Sequence, residues 1–283
     1  MKKLLSALFA LCLLPLAAQA GESSHESAQE STFDRVVRTG TLRCGYGISK
    51  PNLVKDANNG QLSGISYDVT NALAERLGLK VEWAEETGFG TAEQGLISGR
   101  YDLICSNVCI EPRRTRAAWF SVPYTHEPVY AVVKGNDTRF DASLAPANAP
   151  GAKIAVVDGS ILATLAADNF PLAQRMDIGE FGIAGDFMLI VAGGKADMSF
   201  NLAYAVDQFL KSNPGTIKMV GDPVGMCHGA FLLPLGDEKF RTLIDTAMTD
   251  LIDRGQIDSI TTKHVGDDPR YRMSPISPWP AAR

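Results

Sequence analysis

The chain is poor in the signatures of metal, nucleotide and nucleophile chemistry. It contains no Cys-x-x-Cys and no His-x-x-x-His pair, and its four histidines, His25, His126, His228 and His264, are scattered, which argues against a structural zinc site. "GFGTAEQG" has two glycines in Gly-x-Gly spacing. It lacks the later glycine of a dinucleotide loop and the Gly-Lys-Ser/Thr of a phosphate loop, and reads as a loop entering a short helix. Ser160, in "DGSI", does not sit in Gly-x-Ser-x-Gly. A serine between a strand and "ILATLAAD" reads first as a helix N-cap. No metal and no cofactor is implied.

Positive charge is also in short supply. The formal charge is −5, and removing Lys2 and Lys3 with the first twenty residues takes it to −7, which disfavours nucleic acid and anionic membrane as partners. Long apolar runs are missing after residue 20. The opening "MKKLLSALFALCLLPLAAQA" has a basic start, an apolar stretch too short to span a bilayer with margin, and the small-x-small site Ala18-Gln19-Ala20, so residues 1–20 read as a cleavable export signal. Leu11 before Cys12 is too bulky for a typical lipid-attachment site. Residues 21–32, "GESSHESAQEST", are polar and aperiodic and read as a flexible leader.

Four cysteines remain, Cys44, Cys105, Cys109 and Cys227. An even number in an exported chain makes one or two disulfides plausible. Three complete pairings are open, and a Cys105–Cys109 bridge would need a turn between them.

Apolar periodicity then gives the element order. "TLRCGYG" reads as a strand and "SYDVTNALAERLG" as an amphipathic helix stopped by Gly78. "LKVEWAE" is a second strand, "TAEQGLISG" a short helix, and "YDLICS" a strand buried on both faces. After the linker "RFDASLAPANAPG" the alternation resumes with "KIAVVDGS", "ILATLAADNF", "AGDFMLIVAGG", "KADMSFN", "AYAVDQFLKSN", "TIKMVG" and "GAFLLPL". A long helix is expected from Asp237 to Arg254, and a proline-rich tail follows. Strand and helix in alternation is α/β order. In open α/β sheets ligands sit beyond the strand carboxyl ends, where "CSNVC" and "DGS" both lie, and the second opens a helix whose N–H groups suit an anion.

One stretch stands out in so acidic a chain. "SNVCIEPRRTR" puts Arg113, Arg114 and Arg116 within four positions. Arg113 and Arg116 read as solvated charge. Arg114 follows a buried-looking strand and the stiff Pro112, and is placed to turn its planar fork onto a carboxylate in a crevice.

The ordered series "GTLRCGYG", "GQLSGISYDVTNALAERLGLKVEW", "LISGRYDLICSNVCIEPRRTRAAWFSVPY", "KIAVVDGS", "GGKADMSFN" and "DEKFRTLIDTAMTDLIDRGQIDSI" resembles the family 3 extracellular solute-binding proteins of ABC importers over residues 33–266. The resemblance implies a type II periplasmic-binding-protein fold. Lobe 1 would comprise 33–130 with 231–266, lobe 2 would comprise 131–230, and 267–283 would form a tail. Two crossover strands, near Val129 to Val133 and Met226 to Leu233, would act as a hinge. It further implies a periplasmic monomer that closes on a small carboxylate-bearing solute and delivers it to an ABC permease, without catalysis.

Residue by residue, Arg114 falls on the position that binds the ligand carboxylate, Cys109 where a hydroxyl is usual, and Asn107 on a further cleft position. Phe89 falls on the pocket-lining aromatic and Ser160 on the hydroxyl at the helix start of lobe 2. Two departures bear on the ligand. Leu202, preceded by Asn201, stands where an aspartate for the ligand ammonium is expected, and Lys50 stands where an aromatic would stack. An unpaired ammonium in a closed cleft is costly, so the departures favour an organic anion without an amine, with Asn201 or Asp158 as the alternative partner for one. Cyclohexadienyl dehydratases resemble the same family, and for such a reaction Glu86, Glu111 or His228 are candidate acids. A periplasmic accessory or sensor role is a third reading.

Overall fold

The computed structural model describes residues 30–179, 184–268 and 270–271. The export signal, the leader up to residue 29 and most of the tail lie outside the described residues. The leader expected over 21–32 overlaps the first helix and its cap at its last two residues. Ser31 caps a helix, its Oγ accepting from Asp34 N at 3.1 Å, and α1 runs Thr32–Thr39 to Gly40 in the left-handed region.

The elements then follow as β1 Thr41–Tyr46, β2 Val54–Lys55, β3 Leu62–Ser63, α2 Ile65–Leu77, β4 Lys80–Glu86, α3 Ala92–Ile97 and β5 Leu103–Cys109. A 3-10 turn over Pro112–Arg116 leads to β6 Ala118–Phe120 and β7 Thr125–Lys134. Next come β8 Lys153–Val156, α4 Ile161–Asn169, β9 Gln174–Asp177, α5 Ala184–Ala192, β10 Met198–Leu202 and α6 Ala203–Ser212. The chain closes with β11 Ile217–Pro234, α7 Glu238–Asp253 and α8 Gln256–Val265.

Strands β4, β1 and β5 pair in parallel, as do β10, β8 and β9. Between the two sets lie the long antiparallel strands β11 and β7, giving the order β4-β1-β5-β11-β7-β10-β8-β9 with β6 on β11. The sequence read "TIKMVG" and "GAFLLPL" as two strands. They are one, because β11 keeps pairing with β7 across an irregularity between Val220 and Gly225.

Apolar side chains gather on both sides of this crossover. One pair of clusters draws on residues up to Tyr124 and again from Ala230 onward, with Leu42, Leu73, Leu103, Phe231, Phe240 and Ile244 all buried. The other pair draws on Val129 to Cys227, around Ile154, Phe200, Val206 and Ile217. On α7, Phe240, Ile244, Ala247, Met248 and Leu251 are the buried face, as their spacing requires. Full burial of each large side chain contributes roughly 1.5–3 kcal/mol. Both chain crossings between the cores fall where β7 and β11 run side by side, so a crevice opens beside their shared segment.

Both disulfides are formed, Cys44–Cys105 and Cys109–Cys227. Cys105–Cys109 is excluded because both lie on the extended strand β5, with no turn between them. Cys44–Cys105 ties β1 to β5 inside the first core, and Cys109–Cys227 ties the end of β5 to β11.

Candidate functional site

A cleft of about 400 Å³ lies between the two cores. Its wall is largely apolar, with Ile48, Phe89, Val129, Val157, Leu162, Phe187, Met188 and Phe209 among its residues, and the Cys109–Cys227 bridge forms part of it. Lys50, Asn107, Arg114, Ser160 and Asn201 line it too, so the cleft brings together all seven residues that the sequence singled out. Their chemical states differ from expectation in several places.

Pro112 opens the 3-10 turn after β5 and aims Arg114 inward, where it is 6% exposed. Its Nη2 donates to Phe89 O at 2.9 Å and to Gly159 O, and its Nη1 meets Glu93 Oε1. The Nε has no hydrogen-bond partner and stands 3.6 Å from Glu111 Oε1. Arg114 thus bridges the "GFG" loop and the "DGS" loop, which belong to different cores, while two carboxylates balance its charge.

Arg113 is not idle surface charge. Its Nε donates to Glu111 Oε2 at 2.8 Å and its Nη2 to Ser160 O at 3.2 Å, while Thr164 Oγ1 donates to Glu111 Oε2 at 2.8 Å. The half-exposed side chain and the buried Glu111 therefore fasten the turn to the start of α4. Arg116 is exposed as expected. The two loops approach so closely that a Cβ on Gly159, at φ +75°, would lie 3.0 Å from Gly90 Cα.

Ser160 is the N-cap of α4. Its Oγ accepts from Leu162 N at 3.2 Å and donates to Val157 O at 2.6 Å, so the hydroxyl is already committed. Cys109 has no thiol to offer, because its sulfur is shared with Cys227. Lys50 is exposed, beside a cis peptide bond to Pro51. Leu202 presents apolar surface to the cleft, and Asp158 is exposed and does not line it.

The residue missed by sequence reading is Glu127. It lies on β7, is 1% exposed and lines the cleft. Its Oε1 accepts from Asn52 Nδ2 at 3.2 Å and Asn107 Nδ2 at 3.3 Å, and Asn107 Oδ1 in turn accepts from Thr125 Oγ1 at 2.9 Å. Burial pushes the Glu127 carboxyl up to about 7, partly countered by the Asn52 bond. Gly229 leaves room for this network, since a Cβ there would fall 1.5 Å from Asn107 Oδ1. A signal was present in "YTHEPVYAVV", where one acid interrupts a buried strand.

Of the acids considered for elimination chemistry, Glu86 is exposed and paired with Lys55 at 2.7 Å. His228 lies against His126, Nδ1 to Nδ1 2.6 Å, and neither histidine lines the cleft. Glu111 lines the cleft but is held by Arg113 and Thr164.

Two sets of parallel strands joined by a β7–β11 crossover, with a lined cleft at the crossing, agree with a match of residues 42–267 to the bacterial extracellular solute-binding proteins, family 3. The chain belongs to that family. It is 28% identical to a probable amino-acid ABC transporter-binding protein of Haemophilus influenzae, over 95% of this chain and 99% of that one. It is 27% identical to cyclohexadienyl dehydratase of Pseudomonas aeruginosa, over 83% and 85%. Among solved structures it is similar to an ancestral amino acid-binding protein described as a precursor of cyclohexadienyl dehydratase, at TM-score 0.72 and 26% identity, covering 83% of this chain and all of that one. The fold is that of the type II periplasmic binding proteins, and a solute-binding role follows from the family.

Proposed function

We propose that this family 3 protein captures a carboxylate-bearing solute between its two lobes in the periplasm, as a monomer, and hands it to an ABC permease. The observation that carries this reading is Arg114, a buried guanidinium in the cleft that touches backbone carbonyls from both cores. A solute carboxylate exchanges with Glu93 on this group, and the charge-assisted pair favours the closed arrangement of the lobes over an open one. The apolar wall supplies the rest of the contact area, and the positive end of α4 faces the same space.

The test is ligand-induced thermal stabilisation across amino acids and organic acids, in wild type and in Arg114→Ala, with Arg114→Lys as a fold control. The alanine variant loses the stabilisation, because one partner of a desolvated charge pair is gone. A wild-type-like shift in Arg114→Ala removes this residue from the site.

A second reading, elimination on a carboxylated ring as in the dehydratase relative, is favoured by Glu127. A buried carboxyl near pH 7 holds a proton that a general acid could deliver. Prephenate turnover followed by absorbance decides it. Turnover lost in Glu127→Gln supports the enzyme, and no turnover by the wild type rejects it.

A further inference from the structure

The cleft has a second polar end that Arg114 does not use. Glu127 Oε2 and Asn52 Oδ1 are both without a hydrogen-bond partner, and their side chains are 1% and 2% exposed. Both residues line the cleft. The orientation of the asparagine follows from its neighbour, since its Nδ2 is the atom that donates to Glu127 Oε1. Leaving a buried acceptor unsatisfied costs about 1–3 kcal/mol, so two of them on residues that line one cleft constitute a standing demand for N–H donors.

The pair is built firmly. Asn52 O accepts from Ser66 N at 2.7 Å at the start of α2, and Gly64, at φ +117°, lets that helix approach, because a Cβ there would stand 2.6 Å from Asn52 O. Asn107, fixed by Thr125, donates to the same carboxylate oxygen, Oε1, as Asn52 does. The cations that line the cleft do not neutralise Glu127. Arg114 is engaged by Glu93 and Glu111, and Lys50 is exposed.

We propose that Glu127 and Asn52 form the subsite that receives a cationic, N–H-donating group of the solute, taking the role that Leu202 cannot fill. The inference rests on the solute-binding reading above and names the second end of the same ligand. It departs from the amine-free organic anion that the sequence favoured. A dianion would press its second carboxylate against a carboxylate, whereas a solute with both charges finds a counter-charge at each end.

Isothermal titration calorimetry at pH 8 tests this with the standard L-amino acids and L-cystine, their deaminated acids, and ω-amino acids lacking the α-amine. For the best-binding member, loss of its amine weakens affinity about 30-fold or more, and Glu127→Gln weakens the amine-bearing member by a similar factor while leaving its deaminated counterpart within about 3-fold. Asn52→Ala gives a smaller loss of the same kind. Equal binding of the deaminated acid, or unchanged affinity in Glu127→Gln, overturns the subsite and leaves the solute-binding reading standing. No heat from any member with wild type overturns the carboxylate-solute reading, and the subsite falls with it.

Discussion

Replacing Glu127 with glutamine changes the pH dependence of stability in a direction that the structure fixes. The folded carboxyl titrates near 7 and its ordinary value is 4.5. The folded state therefore holds the proton more tightly than the unfolded state does. Below about pH 4.5 both states are protonated and the acid costs nothing. As pH rises from 4.5 to 7 the unfolded chain releases its proton first, and the native state loses stability until its own carboxyl ionises. A displacement of this size at about 1.4 kcal/mol per unit amounts to about 3 kcal/mol at pH 8. Glutamine keeps an oxygen for Asn52 and Asn107 and cannot ionise.

Urea unfolding of the oxidised proteins at pH 5, 6, 7 and 8 measures the difference between variant and wild type. In that difference the other ionisable residues near the strand, Arg114, Glu111, Lys50, Tyr124, His126 and His228, largely cancel. The variant is expected to be within about 1 kcal/mol of wild type at pH 5 and more stable by about 3 kcal/mol at pH 8. A gap that stays flat from pH 5 to 8, or a wild type more stable at pH 8, refutes the reasoning. It would mean that the carboxyl is solvated or paired in solution, and that Glu127 is not held in reserve for a ligand.

Two predictions concern the frame around the site. The Cys109–Cys227 bridge closes a span of 118 residues and fastens β5 to β11, so Cys109→Ala with Cys227→Ala is expected to lose about 2–4 kcal/mol in denaturant unfolding, and a loss under about 0.5 kcal/mol contradicts that role. Asp102, 1% exposed, accepts from Arg43 N at 2.7 Å, Arg43 Nη2 at 2.9 Å and Arg35 Nε at 3.0 Å, tying α1 to β1. Asp102→Ala leaves these donors unmatched and is expected to cost about 3 kcal/mol, with Asp102→Asn costing less, and near-wild-type stability of the alanine variant counts against the network.

What the sequence disclosed and what it hid separate along a physical line. Periodic burial is a local property, so α2, α4, α7 and the near-continuous apolar run of β5 were readable, as was the alternation that implies parallel strands. Helix α1 was missed because its signal is a cap: only Val36 is buried, and Ser31 and Gly40 set its ends. Arg114 was readable for a different reason, since arginine, proline and a strand end stand together in the chain.

The groups that decide what Arg114 does are remote in sequence. Glu93 and Gly159 reach it only after folding, which is how an expected free cation became a neutralised bridge between lobes. Glu127 shows the same limit from the other side. Its two asparagine donors come from the segment between β1 and β2 and from β5, and no spacing rule links positions 52, 107 and 127. The missing aspartate at position 202 favours a ligand without an amine only while the candidate partners for one are those on the second lobe, such as Asn201 and Asp158. Charge balance is a property of the cleft as a whole. Once Glu127 is counted, the cleft has an acid on β7, the strand beside β10, two residues from Val129, the partner of Leu202.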